Sequence, residues 1–376
     1  MKFNFHVSPS IKSPLSTQAI MRDLTIGLGF IFTIACVYYG AAFGMEYAVH
    51  AITLLISSLI AMVVCEAGFA KIMKKDIKTS LLNSFGWVTS IILVMMVPIT
   101  MTNYAIIVAT VFAIVFGKLL FGGFGQNIFN PAAVGRAVIM ASFANVSAKL
   151  VTSATPTAEM ANTYHWLPSA NEFGSFVSGF KGFSSLFIGT YVGSIGEQFT
   201  ILLLIVGVIL AIRQVIDWRT TVTYLGTIVI MTAVIALITG LGSYHGIPAI
   251  LWYPALHIVT GGVVYGGVFM LTDPVTSPTS ASGRVIFAMG AAMITVTIRL
   301  CGNLPEGCLY SILIMNMLTP MIESFLDGKQ LEIKKKVQKC TICLGIIALG
   351  LCFFCAKSAQ PKEETAYIPA AQQEVI

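Results

Sequence analysis

Residues Phe121 to Pro131 read Phe-Gly-Gly-Phe-Gly-Gln-Asn-Ile-Phe-Asn-Pro. Gly122, Gly123 and Gly125 allow a flat ligand close to the backbone, because no side chain holds it off. The amides of Asn127 and Asn130 offer paired donors and acceptors, which suit the edge of a heterocycle. No Gly-Lys-Ser/Thr follows, so this is not a nucleotide phosphate loop. A plain glycine-rich turn between helices is the competing explanation. A second string, Thr272-Asp273-Pro274, sets a carboxylate at the end of an apolar run. Ionisable residues near the bilayer interior are costly and usually functional, although Asp before Pro is also a common turn starter. A third, Thr152-Ser153-Ala154-Thr155-Pro156-Thr157, clusters hydroxyls. No His or Asp pattern around it forms a hydrolytic triad, and alone it reads as a polar turn.

Metal chemistry is poorly supported. The five histidines are scattered. Cys340/Cys343 and Cys352/Cys355 form two C-x-x-C pairs, but both fall on one expected helix. Twelve residues of helix separate them by about 18 Å, too far to share an ion. They read as small apolar core residues. Glu66, Glu197 and Glu323 fall near the ends of apolar runs, where water is expected to reach them. No run carries a carboxylate at its centre, which argues against a carboxylate relay pump.

These residues must be positioned by membrane helices. The chain has 376 residues, 56% hydrophobic and only 10% charged, with a mean hydropathy of +0.86. A soluble domain has about 25% charged residues, so a soluble enzyme and a disordered chain are excluded. A bilayer core needs roughly 20 apolar residues per helix. The apolar runs predict spans over 24–43, 48–70, 81–99, 103–119, 131–147, 197–213, 221–240, 248–270, 285–301, 307–322 and 340–356. The fold class is therefore all-α and polytopic, with no cleavable signal peptide. The formal net charge of +6 lies in short loops rather than in a stripe, so the partner it implies is membrane lipid, with no nucleic acid. With the N-terminus inside, sixteen cations fall in inner stretches, among them Lys71, Lys74, Lys75, Lys118, Arg213, Arg219 and Lys334, against four outside. That bias sets the orientation.

The expected organisation is a cytoplasmic segment at 1–23, a membrane domain at 24–325 with a long outer loop at 147–196, an extra helix at 340–356, and an acidic disordered tail at 357–376 placed outside. Asn130-Pro131 and Leu304-Pro305 begin the fifth and tenth spans alike, with Pro suited to a first helical turn. Five spans is an odd number, so two such copies face opposite ways. Ten helices then form two inverted five-helix repeats, with an eleventh helix at the C-terminus.

Five strings occur in the order found in a known family: Phe121–Gly135 (FGGFGQNIFNPAAVG), Ser153–Pro156 (SATP), Gly193–Glu197 (GSIGE), Thr272–Val275 (TDPV) and Leu304–Tyr310 (LPEGCLY). The resemblance extends over the chain from about residue 20 to 325. On them the chain resembles the D subunits of the Rnf electron-transport complex and the homologous B subunits of the sodium-pumping NADH:quinone reductase. The resemblance implies a multi-pass subunit of an ion-translocating oxidoreductase in the inner (cytoplasmic) membrane. Such a complex carries electrons between ferredoxin and NAD and moves Na⁺ or H⁺, and its other subunits are A, B, C, E and G. The resemblance also implies FMN joined by a phosphoester to Thr155, within Ser153-Ala154-Thr155, where Ser153 replaces the family's usual glycine. It implies noncovalent riboflavin near the inner face, touching Asn127 and Asn130, with Gly123 and Asp273 as further cofactor-binding residues. The charge bias independently places Thr155 outside. Two readings from other classes stay open: a cofactor-free channel or secondary transporter built on inverted repeats, and a structural assembly subunit.

Overall fold

The computed structural model describes residues 16–143, 155–302, 306–328 and 330–359. Among the described residues every regular element is a helix. Helices α1 (Thr17–Phe43) and α2 (Met45–Ile72) are separated only by Gly44. Its φ of +118° turns the chain back in a conformation that a side chain would oppose. Then come α5 (Asn103–Val115), α6 (Pro131–Ser142), α10 (Thr200–Ile212), α11 (Trp218–Thr239), α14 (Ala281–Cys301), α15 (Cys308–Phe325) and α16 (Gln330–Ser358). Seven described helices are long and apolar enough to cross a bilayer, α5 being counted with the turns that carry it on to Phe121.

Two expected spans are broken. The third is α3 (Ile77–Ser84) and α4 (Gly86–Met95), bent by 47° at Phe85. The eighth is α12 (Ala249–Val259) and α13 (Val263–Tyr265), the latter continuing as a π turn through Gly266–Met270, with a bend of 72°. Counting each pair as one span raises the seven to nine. The expected fifth and sixth spans are α6 and α10, of 12 and 13 residues. At 1.5 Å per residue each is about 18–20 Å long, short of the bilayer core.

The breaks occupy matching places. In the first half α2 packs on α3, α4 and α5, and α5 packs on α6. In the second half α11 packs on α12 and α14, and α14 packs on α15. The third element of each half is the broken one. Among the described residues this pairing is firmer evidence of a repeat than the two proline strings. Pro131 does occupy the first turn of α6, but α15 begins only at Cys308, and Leu304 and Pro305 lie outside the described residues.

The long outer loop is no simple polar connection. Residues 155–196 fold into α7 (Pro156–Asn162), α8 (Ala170–Gly179) and α9 (Phe183–Ile188). Trp166 is buried and stacks on His257 at 5.0 Å, and Phe173 stacks on Trp252 at 4.3 Å. Tyr253 donates to the Trp166 carbonyl at 2.8 Å. Aromatic burial of this kind anchors the cap to α12. Helix α16 packs on α11 and α14, while Ile342, Ile346 and Phe353 face outward, as a lipid-facing helix requires. The tail beyond Ala359 lies outside the described residues.

Candidate functional site

Two clefts meet the two ends of α6. The one on the side that the charge bias sets inside is an open cleft of about 670 Å³, solvent-filled mouth included, lined by Phe85, Lys118, Phe124, Asn127, Asn130 and Asp273. The sequence strings around residues 121–131 and 272–274 thus converge. Asn130 caps α6: its side-chain oxygen accepts from Ala132 N at 3.0 Å and Ala133 N at 3.3 Å. Its backbone N–H donates to Asn316 Oδ1 at 3.1 Å, which ties α6 to α15. Asn127 donates to the Phe129 carbonyl at 3.0 Å. Those bonds leave the Asn127 oxygen and the Asn130 amide nitrogen for a ligand. Asp273 accepts from Val275 N and from the Thr276 hydroxyl, each at 3.2 Å. Desolvation by its surroundings raises its carboxyl above the ordinary range, against the lowering effect of these bonds and of Lys118. Phe85 and Phe124 pack edge to face at 5.0 Å and supply an aromatic wall.

Gly123 does not join this cleft. It lines a neighbouring one with Glu66, Lys75, Asp76 and Thr79. Three left-handed glycines, Gly122, Gly123 and Gly125, with φ of +115°, +102° and +89°, steer the loop so that Phe124 faces both clefts.

Lys118 and Glu66 correct two expectations. Lys118 is not a solvated topology cation, and Glu66 is not a solvated carboxylate at a span end; each is 2% exposed. They pair at 3.0 Å. Lys118 Nζ also donates to the Ser84 carbonyl at 2.5 Å and its hydroxyl at 2.6 Å, and the Ser84 hydroxyl closes on Glu66. A broken helix leaves its last carbonyls without partners, and lipid cannot satisfy them. Lys118 does so here.

The outer cleft spans about 740 Å³, its open mouth included, and brings Thr155 together with Arg136, Tyr191, Glu197, Gln198 and Glu306. Thr155 is the N-cap of α7, its hydroxyl oxygen accepting from Ala158 N at 3.2 Å. Ser153 and Ala154 lie outside the described residues. Gln198 is 1% exposed. Its oxygen accepts from Tyr39 at 3.0 Å, while its amide nitrogen, buried in the wall, has no partner among the described residues. An orphaned buried donor is costly and fits a site built for an acceptor. Arg136 brings a cation from the middle of α6. Next to the cleft-lining Pro98 and Ser194, Ile195 N donates to the Val97 carbonyl at 2.9 Å and Gly196 N to the Met95 carbonyl at 2.8 Å, joining the two segments.

The second break borders this cleft. Arg299, 2% exposed, donates to the carbonyls of His257 at 2.7 Å and Thr260 at 2.8 Å. It meets Glu306 at 3.4 Å and lies 4.5 Å over the Trp166 ring. Glu306 accepts from Gly262 N at the start of α13. A Cβ on Gly262 would come within 2.6 Å of Glu197 and 3.3 Å of Glu306, so both carboxylates converge there. Sequence reasoning missed Lys118, Arg136, Gln198 and Arg299. Glu197 and Glu306 stood in the matched strings without a role. A cation inside an apolar run was the signal available for Arg136 and Arg299.

The chain matches the NQR2, RnfD, RnfE family over residues 4–332. It is 37% identical over 329 residues to the D subunit of the Na(+)-translocating ferredoxin:NAD(+) oxidoreductase complex of Acetobacterium woodii, covering 85% of this chain and 92% of that protein. It is 34% identical over 338 residues to the D subunit of the proton-translocating ferredoxin:NAD(+) oxidoreductase complex of Clostridium ljungdahlii, covering 86% and 94%. The B subunit of the Na(+)-translocating NADH-quinone reductase of Chromohalobacter salexigens is 33% identical over 264 residues, covering 68% and 61%.

Proposed function

The chain belongs to the NQR2, RnfD, RnfE family, and on that footing we propose that it is the D subunit of an ion-translocating ferredoxin:NAD oxidoreductase complex. It holds FMN on Thr155 in the outer cleft and riboflavin in the inner one. The observation that carries this reading is the pair of clefts at the two ends of one short helix, each lined by residues of the matched strings. The complex lies in the inner (cytoplasmic) membrane, with the remaining Rnf subunits as partners and Na⁺ or H⁺ as the transported ion.

A bound flavin supplies the one- and two-electron chemistry. The chain supplies position. Thr155 offers its hydroxyl oxygen at the exposed start of α7, where an ester oxygen can still accept from Ala158 N. Arg136 neutralises phosphate charge, and the Gln198 amide nitrogen donates to a ring or ribityl acceptor. Inside, the Asn127 oxygen and Asn130 nitrogen meet a ring edge while Phe85 and Phe124 flank it. The charge bias supports an inner Asn127 and an outer Thr155, and it is unharmed by removing Lys118 from the count. By the same bias α16 carries the tail outside.

Ultraviolet fluorescence of the denatured subunit on a gel tests the covalent flavin, and peptide mass spectrometry locates it. A Thr155→Val protein that still carries covalent FMN would refute the site. A dark, fully assembled wild-type subunit would favour the channel or transporter reading.

A further inference from the structure

We propose that Cys301 and Cys355 are a dithiol that closes to a reversible disulfide, tying the C-terminal helix to α14. Their sulfurs lie 3.4 Å apart. A disulfide bond is about 2.05 Å long, so the sulfurs must approach by only about 1.4 Å. Both sit in terminal turns: Cys301 is the last residue of α14, and Cys355 is in the last turn of α16. Helix ends fray and adjust more readily than interiors.

The two thiols differ in access. Cys301 is half-buried and Cys355 is buried. An oxidant therefore reaches Cys301 first, and Cys355 resolves the intermediate from within. Among the described residues the other thiols are placed elsewhere. Cys352 points its thiol at the Met231 carbonyl on α11 at 3.6 Å, and Cys308 meets the Tyr224 hydroxyl at 3.3 Å. Cys343 lies about 18 Å back along α16.

The step balances with a disulfide oxidant, RSSR. The Cys301 thiolate attacks one sulfur and releases RSH after taking up a proton. Cys355 then attacks the Cys301 sulfur, forms the intramolecular bond and releases the second RSH. The protein loses two hydrogens and the oxidant gains them. A thiol reductant reverses the exchange.

The bond has a local consequence. Arg299 lies two residues before Cys301, in the turn that reaches the broken-helix carbonyls. Closing the bond fixes that turn against α16, which otherwise packs at the edge of the bundle. The inference does not rest on the flavin reading.

The test uses the whole subunit in its native membranes. Samples are treated with oxidised glutathione or with dithiothreitol, blocked with N-ethylmaleimide and digested without reductant. Mass spectrometry of the oxidised sample should find the Cys301 peptide joined to the Cys355 peptide, two hydrogens lighter than the reduced pair. Dithiothreitol should abolish that species. Maleimide labelling of Cys301 should fall to background on oxidation, and Cys355→Ser should leave Cys301 carrying glutathione instead. Equal labelling of both thiols with and without oxidant would overturn the proposal, as would a bond from Cys355 to Cys352. The wild-type measurement needs no variant, so misfolding of Cys355→Ser leaves it decisive.

Discussion

The two broken helices solve one problem with different parts. At each break a buried cation from the C-terminal end of the next long helix in the same half takes the free carbonyls: Lys118 at Ser84, Arg299 at His257 and Thr260. At each, a carboxylate sits against the backbone that starts the second piece: Glu66 at Gly86, Glu306 at Gly262. Negative charge at a helix start and positive charge at a helix end are the favourable signs. The differences are as informative. The inner cation is a compact ammonium locked to its own carboxylate at 3.0 Å. The outer one is a planar fork that spans two carbonyls and meets its carboxylate only at 3.4 Å. The inner break turns on Phe85, at φ +53°, and the outer on Gly261, at φ +75°. A left-handed side-chain-bearing residue costs about 1–2 kcal/mol. Phe85 is kept despite that cost, and its ring lines the inner cleft. The inner break is thus closed electrostatically and shaped for an aromatic neighbour. The outer one leaves its carboxylates turned toward a second arginine across the cleft.

Removing the inner cation should have the largest effect. Lys118→Met strands Glu66, and an unpaired buried charge costs about 3–5 kcal/mol. The thermal unfolding midpoint in detergent should drop sharply, and adding Glu66→Gln should recover most of the loss. A double variant as unstable as the single one would shift the weight from the ion pair to the Ser84 carbonyl. Next is Arg299→Lys, which cannot reach both carbonyls. Leaving one buried acceptor unmet costs about 1–3 kcal/mol, and proteolysis of the outer cap should quicken; Lys118→Arg, by contrast, should fail for lack of room. Gly261→Ala should cost about 1–2 kcal/mol through its left-handed φ alone, with more from a Cβ 2.6 Å from Glu306. Chemical denaturation of the purified subunit would measure it, and an unchanged midpoint would mean that the outer turn relaxes freely. The smallest effect belongs to Asn130→Asp, which keeps the cap on α6, whereas Asn130→Ala should lose about 1 kcal/mol. Riboflavin retention in the stable Asp variant would show whether the amide nitrogen is needed beyond capping.

Helix positions were legible because membrane spans announce themselves by length and hydropathy. Among the described residues every expected span falls on a helix, and α6 and α10 are shorter than expected. Asn127, Asn130 and Asp273 were legible as a group, since they do share a cleft. Gly123 was not, because its role is to steer the loop and it touches the adjoining cleft. Asn130 and Thr155 each precede proline and each cap a helix, so local structure accounts for their type whatever else they hold. The breaks were invisible in hydropathy: a bend at Phe85 leaves the apolar run intact. The cysteine contact was invisible too, because it joins residues 54 positions apart across elements whose packing no local pattern encodes.

Helix α6 stands between the two clefts. Asn130 at its start belongs to one cleft, and Met140 near its end to the other. Ten residues rise only about 15 Å, half of the roughly 30 Å hydrocarbon layer. With the clefts open to opposite compartments, as proposed above, the membrane voltage is concentrated across this thin partition instead of falling evenly through the bilayer. A charge that crosses between the clefts therefore traverses most of the electrical potential in one short passage. At about 2.3 kcal/mol per elementary charge for each 100 mV, that places the protein's exchange with the membrane battery at the span of a single stubby helix.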